Sequence, residues 1–513
     1  MAHVYDDQSA GDRALASKIN ALAVANGRKA NTGLFPESAA EYIVFPQGGL
    51  YHHRNGHTGE VSTGDTSAAA TMQDALDAVA STGGSVFVKR WNYPITAKIS
   101  MPNTVGVGED KHIQFIGDNA TLSGDATLAD NILELDAVTT NVNYSYRISG
   151  FHIYPAKKDS TYYNIYIKDP LNVYLDHLTL GWNGLKIEDA SIVYLDNIYF
   201  VDSYNQGLLL DNTSYVFGNN LFLDNCGGYG SGAYDSMLIQ NGCSKIYLNN
   251  FNILGEKGVL GGQKKGIYIS GSGKLHFNNF IIEGHKESSI TISDGDDITF
   301  SNFVLDGSDT YGIEMSPTDN ITDILINNFK ISSGTEGIAL YAQNTKYIKR
   351  IIISNGILYD IAGGKGVHIS DDSSGGAICT YVNVHDVTFD TFTNGIEEAN
   401  ASDYNTFKNN IFISCTTPIS AVGANTVTKL NLGYVTENGG TGTIDDGSTS
   451  DVIAHGLDYT PSAKDIVITL TENPDNTPGA IWVDTIGAAN FTVNCENNPG
   501  ASNLDFSWSI RRI

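Results

Sequence analysis

The chain is short of positive charge. Its 513 residues hold 30 Lys and Arg against 57 Asp and Glu, a formal charge of −27. That balance excludes a nucleic-acid partner, whose phosphates need a basic patch. It also disfavours an anionic polymer unless a local basic strip or a bridging cation exists. Long apolar runs are missing as well. No segment approaches the ~18 consecutive apolar residues of a membrane span. The opening MAHVYDDQSAGDR has no apolar stretch of the kind an export signal carries. The expectation is therefore no membrane insertion and no visible signal peptide. Cysteine is scarce: Cys226, Cys243, Cys379, Cys415 and Cys495 form no Cys-x-x-Cys pair. They read as small buried fillers in a reduced compartment rather than as a disulfide frame or a zinc site.

What the chain does have is repetition. KLHFNNFIIEG (274–284) is followed by DITFSNFVLDG (297–307), and one polar marker recurs at His177, Asn197, Asn220, Asn250, Asn279, Asn302, Asn328, Asn355, Asp386 and Asn410, at intervals of 20 to 31 residues. Each marker closes one run of alternating Val, Ile, Tyr and Phe and opens another, the period of strands. Glycine opens a third short run at Gly184, Gly207, Gly266, Gly312, Gly337, Gly366 and Gly395. A coil of stacked turns with three strands each follows, and 513 residues suit such an elongated architecture better than one compact core. An Asn facing inward at the corner of each turn can be satisfied by the Asn one turn away, at a ~4.8 Å rise, so an internal amide ladder is expected.

Residues 60–430 resemble the right-handed parallel β-helix of the pectate-lyase superfamily, most closely over TGDTSAAATMQDALDAVASTGGSVFVKRWNYPITAKISMPNTVGVGEDKHIQFIGDNATLSG. The resemblance implies an N-terminal capping helix. Ser67 can N-cap it, Met72, Ala75, Leu76 and Val79 share its buried face, and Gly83–Gly84 end it. Such a cap covers the otherwise unpaired end of the solenoid.

Before the helix lies an N-terminal segment, 1–59, with a helical stretch ALASKINALAVAN and a passage FPQGGLYHHRNGHTGE that reads as a flexible loop. Its His52, His53 and His57 read as solvated rather than metal-binding. Residues 431–450, including most of ENGGTGTIDDGSTSD, read as a linker by composition. Residues 451–513 read as a small β-sandwich similar to terminal modules of viral tail proteins, which implies trimerisation or adhesion. The layout as a whole looks like that of viral tailspikes. It implies an all-β homotrimer on a virion tail, or an extracellular protein, that binds a cell-surface polysaccharide.

In the resembled fold the glycine-led strands form the floor of a carbohydrate groove. Alternation makes Tyr166, Lys186, Leu209, Leu238, Tyr268, Thr291, Glu314, Ala339, His368 and Glu397 the outward residues of that floor. Tyr166, Lys186, Tyr268, His368 and Glu397 are the expected substrate-binding groups, with Tyr268 able to stack on a sugar. Glu283 and Asp306 stand four residues after successive markers, with Asp309 and Glu314 following. Their expected convergence suits glycosidic hydrolysis, which needs one carboxyl protonated and one ionised: Glu314 or Asp309 as acid, Asp306 or Glu283 as base or nucleophile. No cofactor is implied. A polysaccharide lyase would use the acids to hold calcium, and a fibre that only adheres would leave them solvated.

Overall fold

A computed structural model describes residues 40–102, 111–136, 144–157, 161–227, 234–255, 264–332, 334–359, 364–372, 376–420, 423–472 and 475–511. The helix expected at ALASKINALAVAN lies outside these residues.

The chain winds as a parallel β-solenoid. Long strands such as Ser272–Glu283, Gly295–Asp306 and Ile321–Ser332 stack in register. Short strands such as Tyr311–Met315, Glu336–Ala342 and Lys365–Asp371 stack in a second sheet of 13 strands. The three strands expected per turn reduce to two elements, because the runs either side of the marker are one strand bent at that residue.

The bend corrects the expected role of asparagine. Asn250, Asn279, Asn302, Asn328 and Asn355 lie at φ +52° to +55°, in the left-handed region, and are exposed. They face outward, not inward. Asn is selected because its short side chain tolerates left-handed backbone that most residues avoid. His177 (φ +52°) and Asp386 (φ +57°) do the same. In the last marked turn the left-handed residue is Asn409, and Asn410 is fully buried. The ladder itself exists on the outside. Asn328 Nδ2 donates to Asn302 Oδ1 at 2.5 Å, Asn302 to Asn278 at 2.6 Å and Asn250 to Asn219 at 2.8 Å.

Asn302→Val should therefore lower stability by about 1–3 kcal/mol, the cost of forcing a β-branched residue to positive φ. Asn302→Gly should cost under ~1 kcal/mol, since glycine accepts that φ and only exposed amide bonds are lost. Equal melting temperatures for the two variants would refute the backbone explanation.

What fills the inside is the residue after the bend. Phe251, Phe280, Phe303 and Phe329 occupy successive turns, with centroids 4.7, 4.9 and 5.7 Å apart, all buried. The glycines of the short strands serve close approach. A Cβ on Gly312 would stand 2.5 Å from the Gly337 carbonyl oxygen, and one on Gly366 2.5 Å from that of Gly395.

The capping helix is Ala68–Ala80. Ser67 Oγ accepts from the Ala70 N–H, and Met72, Ala75, Leu76 and Val79 are buried. Gln73 bonds both backbone groups of Ser100 (2.9 and 2.8 Å), so the helix satisfies as well as covers the first short strand. The passage read as a flexible loop is a hairpin, Tyr42–Gln47 with Leu50–Asn55, turning at Gly48 and Gly49 (φ +62° and +83°). His52 and His53 are strand residues there, with the His52 ring stacked on Phe45.

The C-terminal unit holds two three-stranded antiparallel sheets around Phe491, Phe506, Trp508 and Ile510. One edge strand is Glu437–Ile444, paired along its length with Leu504–Arg511, so the segment read as a linker belongs to this unit. Its glycines make room for aromatics rather than for motion. A Cβ on Gly442 would stand 2.4 Å from the Phe506 ring, and one on Gly440 3.1 Å from the Trp508 indole.

Candidate functional site

The outward residues named from alternation form one continuous column. Tyr166, Lys186, Leu209, Leu238, Tyr268, Thr291, Glu314, Ala339, His368 and Glu397 are register partners in turn order. A second column, Tyr311, Glu336, Lys365 and Asn394, runs beside its C-terminal half, three residues earlier in each strand.

The two columns meet in a polar cluster. Tyr341 Oη donates to Glu336 Oε2 at 2.5 Å and lies 2.9 Å from His368 Nδ1, which is 3.1 Å from Glu336 Oε2. Because the tyrosine proton is committed to Glu336, the network assigns a proton to Nδ1, pointing at Glu336 and the tyrosine oxygen. Nε2 faces Lys365 Nζ at 3.2 Å and Glu397 Oε1 at 3.6 Å. Lys365 Nζ also sits 2.9 Å from Glu397 and 3.8 Å from Glu336, so one ammonium bridges two carboxylates two turns apart. Asn394 donates to the other oxygen of Glu397. His368 is 8% exposed.

Burial opposes ionisation of Glu336, but hydrogen bonds from His368 and Tyr341 and the neighbouring Lys365 outweigh it and hold its carboxyl below the usual glutamate range. Glu397 is lowered in the same way: burial is outweighed by Lys365 and Asn394. Burial, then the hydrogen bond to Glu336, push the Tyr341 hydroxyl upward, so it remains a donor. Tyr311, edge-on to Tyr341 at 5.9 Å, carries the cluster toward Glu314.

Glu314 Oε2 accepts from Ser288 Oγ at 3.0 Å and Thr291 Oγ1 at 3.3 Å, and among the described residues it forms no ion pair. Glu283 and Asp306 are register partners, both exposed, at the end of the bent strands, and Asp306 accepts from Ser332 at 2.7 Å. Asp309 is exposed, its backbone N–H donating to the His285 carbonyl. Of the four acids put forward from the sequence, Glu314 stands on the floor and the other three stand at its rim.

Along the N-terminal half, Tyr166 Oη donates to Glu188 (3.0 Å), which also pairs with Lys186. Tyr268 has Lys265 Nζ 4.4 Å from its ring centroid, so one face of the expected sugar platform is already covered. Asp235, buried beside Lys265, is pushed up to about 6 by that burial, against the pull of the lysines. Sequence reasoning missed Glu336, Tyr341, Lys365 and Asn394. Among the described residues no group of three or more His, Cys, Asp or Glu side chains is placed to hold a metal ion.

A second feature lies on the bent sheet. Tyr174, Tyr194, Phe217, Tyr247 and His276 stack up five successive turns with centroids 4.5 to 5.5 Å apart and planes within 17°. Concavities of about 420 and 520 Å³ run beside them. The interior rings use both faces on each other, which leaves their edges rather than a stacking surface for a ligand.

No protein family and no curated protein matches the chain in sequence. Solved structures are similar in winding: the tailspike of Acinetobacter baumannii bacteriophage AP22, solved with a capsular saccharide (10% identity, TM-score 0.42, 86% of this chain and 94% of that one); the tailspike of E. coli bacteriophage HK620, solved with a hexasaccharide (11%, 0.44, 87% and 90%); and an Azotobacter vinelandii mannuronan C-5 epimerase A-module (12%, 0.35, 71% and 95%). Identities this low carry no residue correspondence.

Proposed function

We propose that the outward face of the short-strand sheet is a polysaccharide-binding groove, and that glycosidic bonds are hydrolysed at its C-terminal half. The observation that carries this reading is the Glu336–His368–Lys365–Glu397 network. It fixes one ionised carboxylate in the neighbouring column, one turn from Glu314, a carboxyl that has hydroxyl partners only.

Glu336, kept charged by its partners, activates water or attacks. Glu314, on the floor one turn away, supplies the proton to the leaving oxygen. His368 and Tyr341 are positioning residues: they fix the Glu336 carboxylate. Lys186, Tyr166 and Tyr268 bind the polymer upstream, and Glu283, Asp306 and Asp309 contact it at the rim. The sequence resemblance extends the proposal to a homotrimer on a virion tail, which sedimentation equilibrium of the full chain tests directly.

Lys365, Tyr341 and His368 also favour a second reading, elimination from a uronate, since they could neutralise a carboxylate and relay a proton. Incubation with bacterial surface polysaccharides separates the two. Hydrolysis releases saturated reducing oligosaccharides, with no rise in ultraviolet absorbance. Absorbance growing in step with chain scission would establish elimination instead, and release of nothing from any polymer would leave an adhesin.

A further inference from the structure

The ion pairing of the groove lysines points to the charge of the substrate. Resting on the reading of this face as a polysaccharide groove, we propose that the sugars bound along it are uncharged, and that the protein selects neutral polysaccharides over uronate-bearing ones.

An acidic protein can still hold a polyanion if its groove concentrates free cations. This groove has lysines, but four of them, Lys98, Lys186, Lys265 and Lys365, lie against carboxylates. Lys98 lies 2.7 Å from Glu134, Lys186 is 2.5 Å from Glu188, and Lys365 is 2.9 Å from Glu397. Lys265 lies over the Tyr268 ring and 3.8 Å from Glu287. Lys168 is in register between Asp136 and Glu188.

A uronate entering here would have to displace an acid already paired, trading one ion pair for another while paying the desolvation of its own charge. The exposed rim acids Glu283, Asp306 and Asp309, with no ion pair among the described residues, would repel it. Sugar hydroxyls meet no such penalty. They can donate to paired carboxylates and accept from tyrosine or lysine without breaking the pairs. The local basic strip that would rescue an anionic substrate is absent among the described residues.

The test uses the full chain and matched polymers. A panel of neutral and uronate-bearing bacterial surface polysaccharides is prepared, each uronate polymer also in a carboxyl-reduced form that keeps its linkages. Binding is followed by affinity electrophoresis at low and high salt. The expected result is that ligands come from the neutral and reduced members, with reduced forms retained at least tenfold more strongly than their parents and with little salt dependence. Glu188→Gln, which leaves Lys186 without its carboxylate, should raise retention of uronate forms up to roughly fivefold, the size of one partly exposed ion pair. Stronger retention of uronate parents by the unaltered protein, weakening as salt rises, would overturn the inference and leave the groove standing. Retention of no polymer at all would remove the groove reading and this inference with it.

Discussion

Exchange of Glu336 for glutamine is expected to lower polysaccharide cleavage by roughly 10³-fold, the scale on which one general base or nucleophile contributes, while changing retention of the polymer by less than about threefold. Glutamine keeps the volume and can still accept from Tyr341, so the fold should hold. Circular dichroism and a melting curve close to those of the unaltered protein establish that. The charge is what is lost, and with it the charged acceptor that His368 faces and the longer of the two carboxylate contacts of Lys365. Full turnover by this variant would falsify the assignment of the reacting carboxylate, and unchanged activity in Glu314→Gln would do the same for the acid.

The pH profile adds a sign. Glu336 is lowered below 4.5 in the folded chain, so its charged state, and the stability it contributes, is present above that value and is lost as pH falls through the lower folded pKa. The acid limb of activity should therefore lie below about pH 4.5. His368→Ala removes a hydrogen bond and a neighbouring charge from Glu336 while leaving burial in place. Its acid limb should move to higher pH, with a loss of activity of roughly 10- to 100-fold. A histidine that merely packs would reduce activity, if at all, without moving the limb.

How far the sequence could lead depended on which regularity each residue obeyed. The outward column from Tyr166 to Glu397 was legible because period-two alternation and a leading glycine set both the face and the register, and every neighbouring pair proved to be a register partner. The partners of that column were not. Glu336 and Lys365 stand three residues before Ala339 and His368, across the glycine that marks each strand start, so alternation counted from the glycine skips them. Tyr341 needed knowledge of how long its strand runs: Glu336–Ala342 is longer than the four-residue strands earlier in the coil. Asparagine misled for a related reason. Recurrence revealed that it occupies corners, but recurrence cannot separate an inward amide from a left-handed backbone, because both select Asn at the same spacing. The glycines of 437–451 show the same ambiguity, since room beside Phe506 and freedom to flex leave one composition.

The largest stability effect is expected at Phe303. Its ring is 3% exposed and lies between Phe280 at 4.9 Å and Phe329 at 5.7 Å. Phe303→Ala removes a full phenyl from the stack, and the parallel strands on either side cannot collapse into the gap without breaking register. The cost is about 3–5 kcal/mol, transfer and cavity together. In a solenoid each turn leans only on its neighbours, so the damage should be local first. The strand Gly295–Asp306 leads directly into the turn that carries Ser308, Tyr311 and Glu314, so hydrogen exchange should accelerate there and in the turns holding Phe280 and Phe329, ahead of the N-terminal helix. Cleavage should fall in step, because Glu314 loses its fixed place beside Ser288 and Thr291. Phe303→Leu, which retains most of the volume, should recover more than half of both losses. Uniform acceleration of exchange along the whole chain would contradict the nearest-neighbour account, and so would a melting temperature unmoved by the alanine.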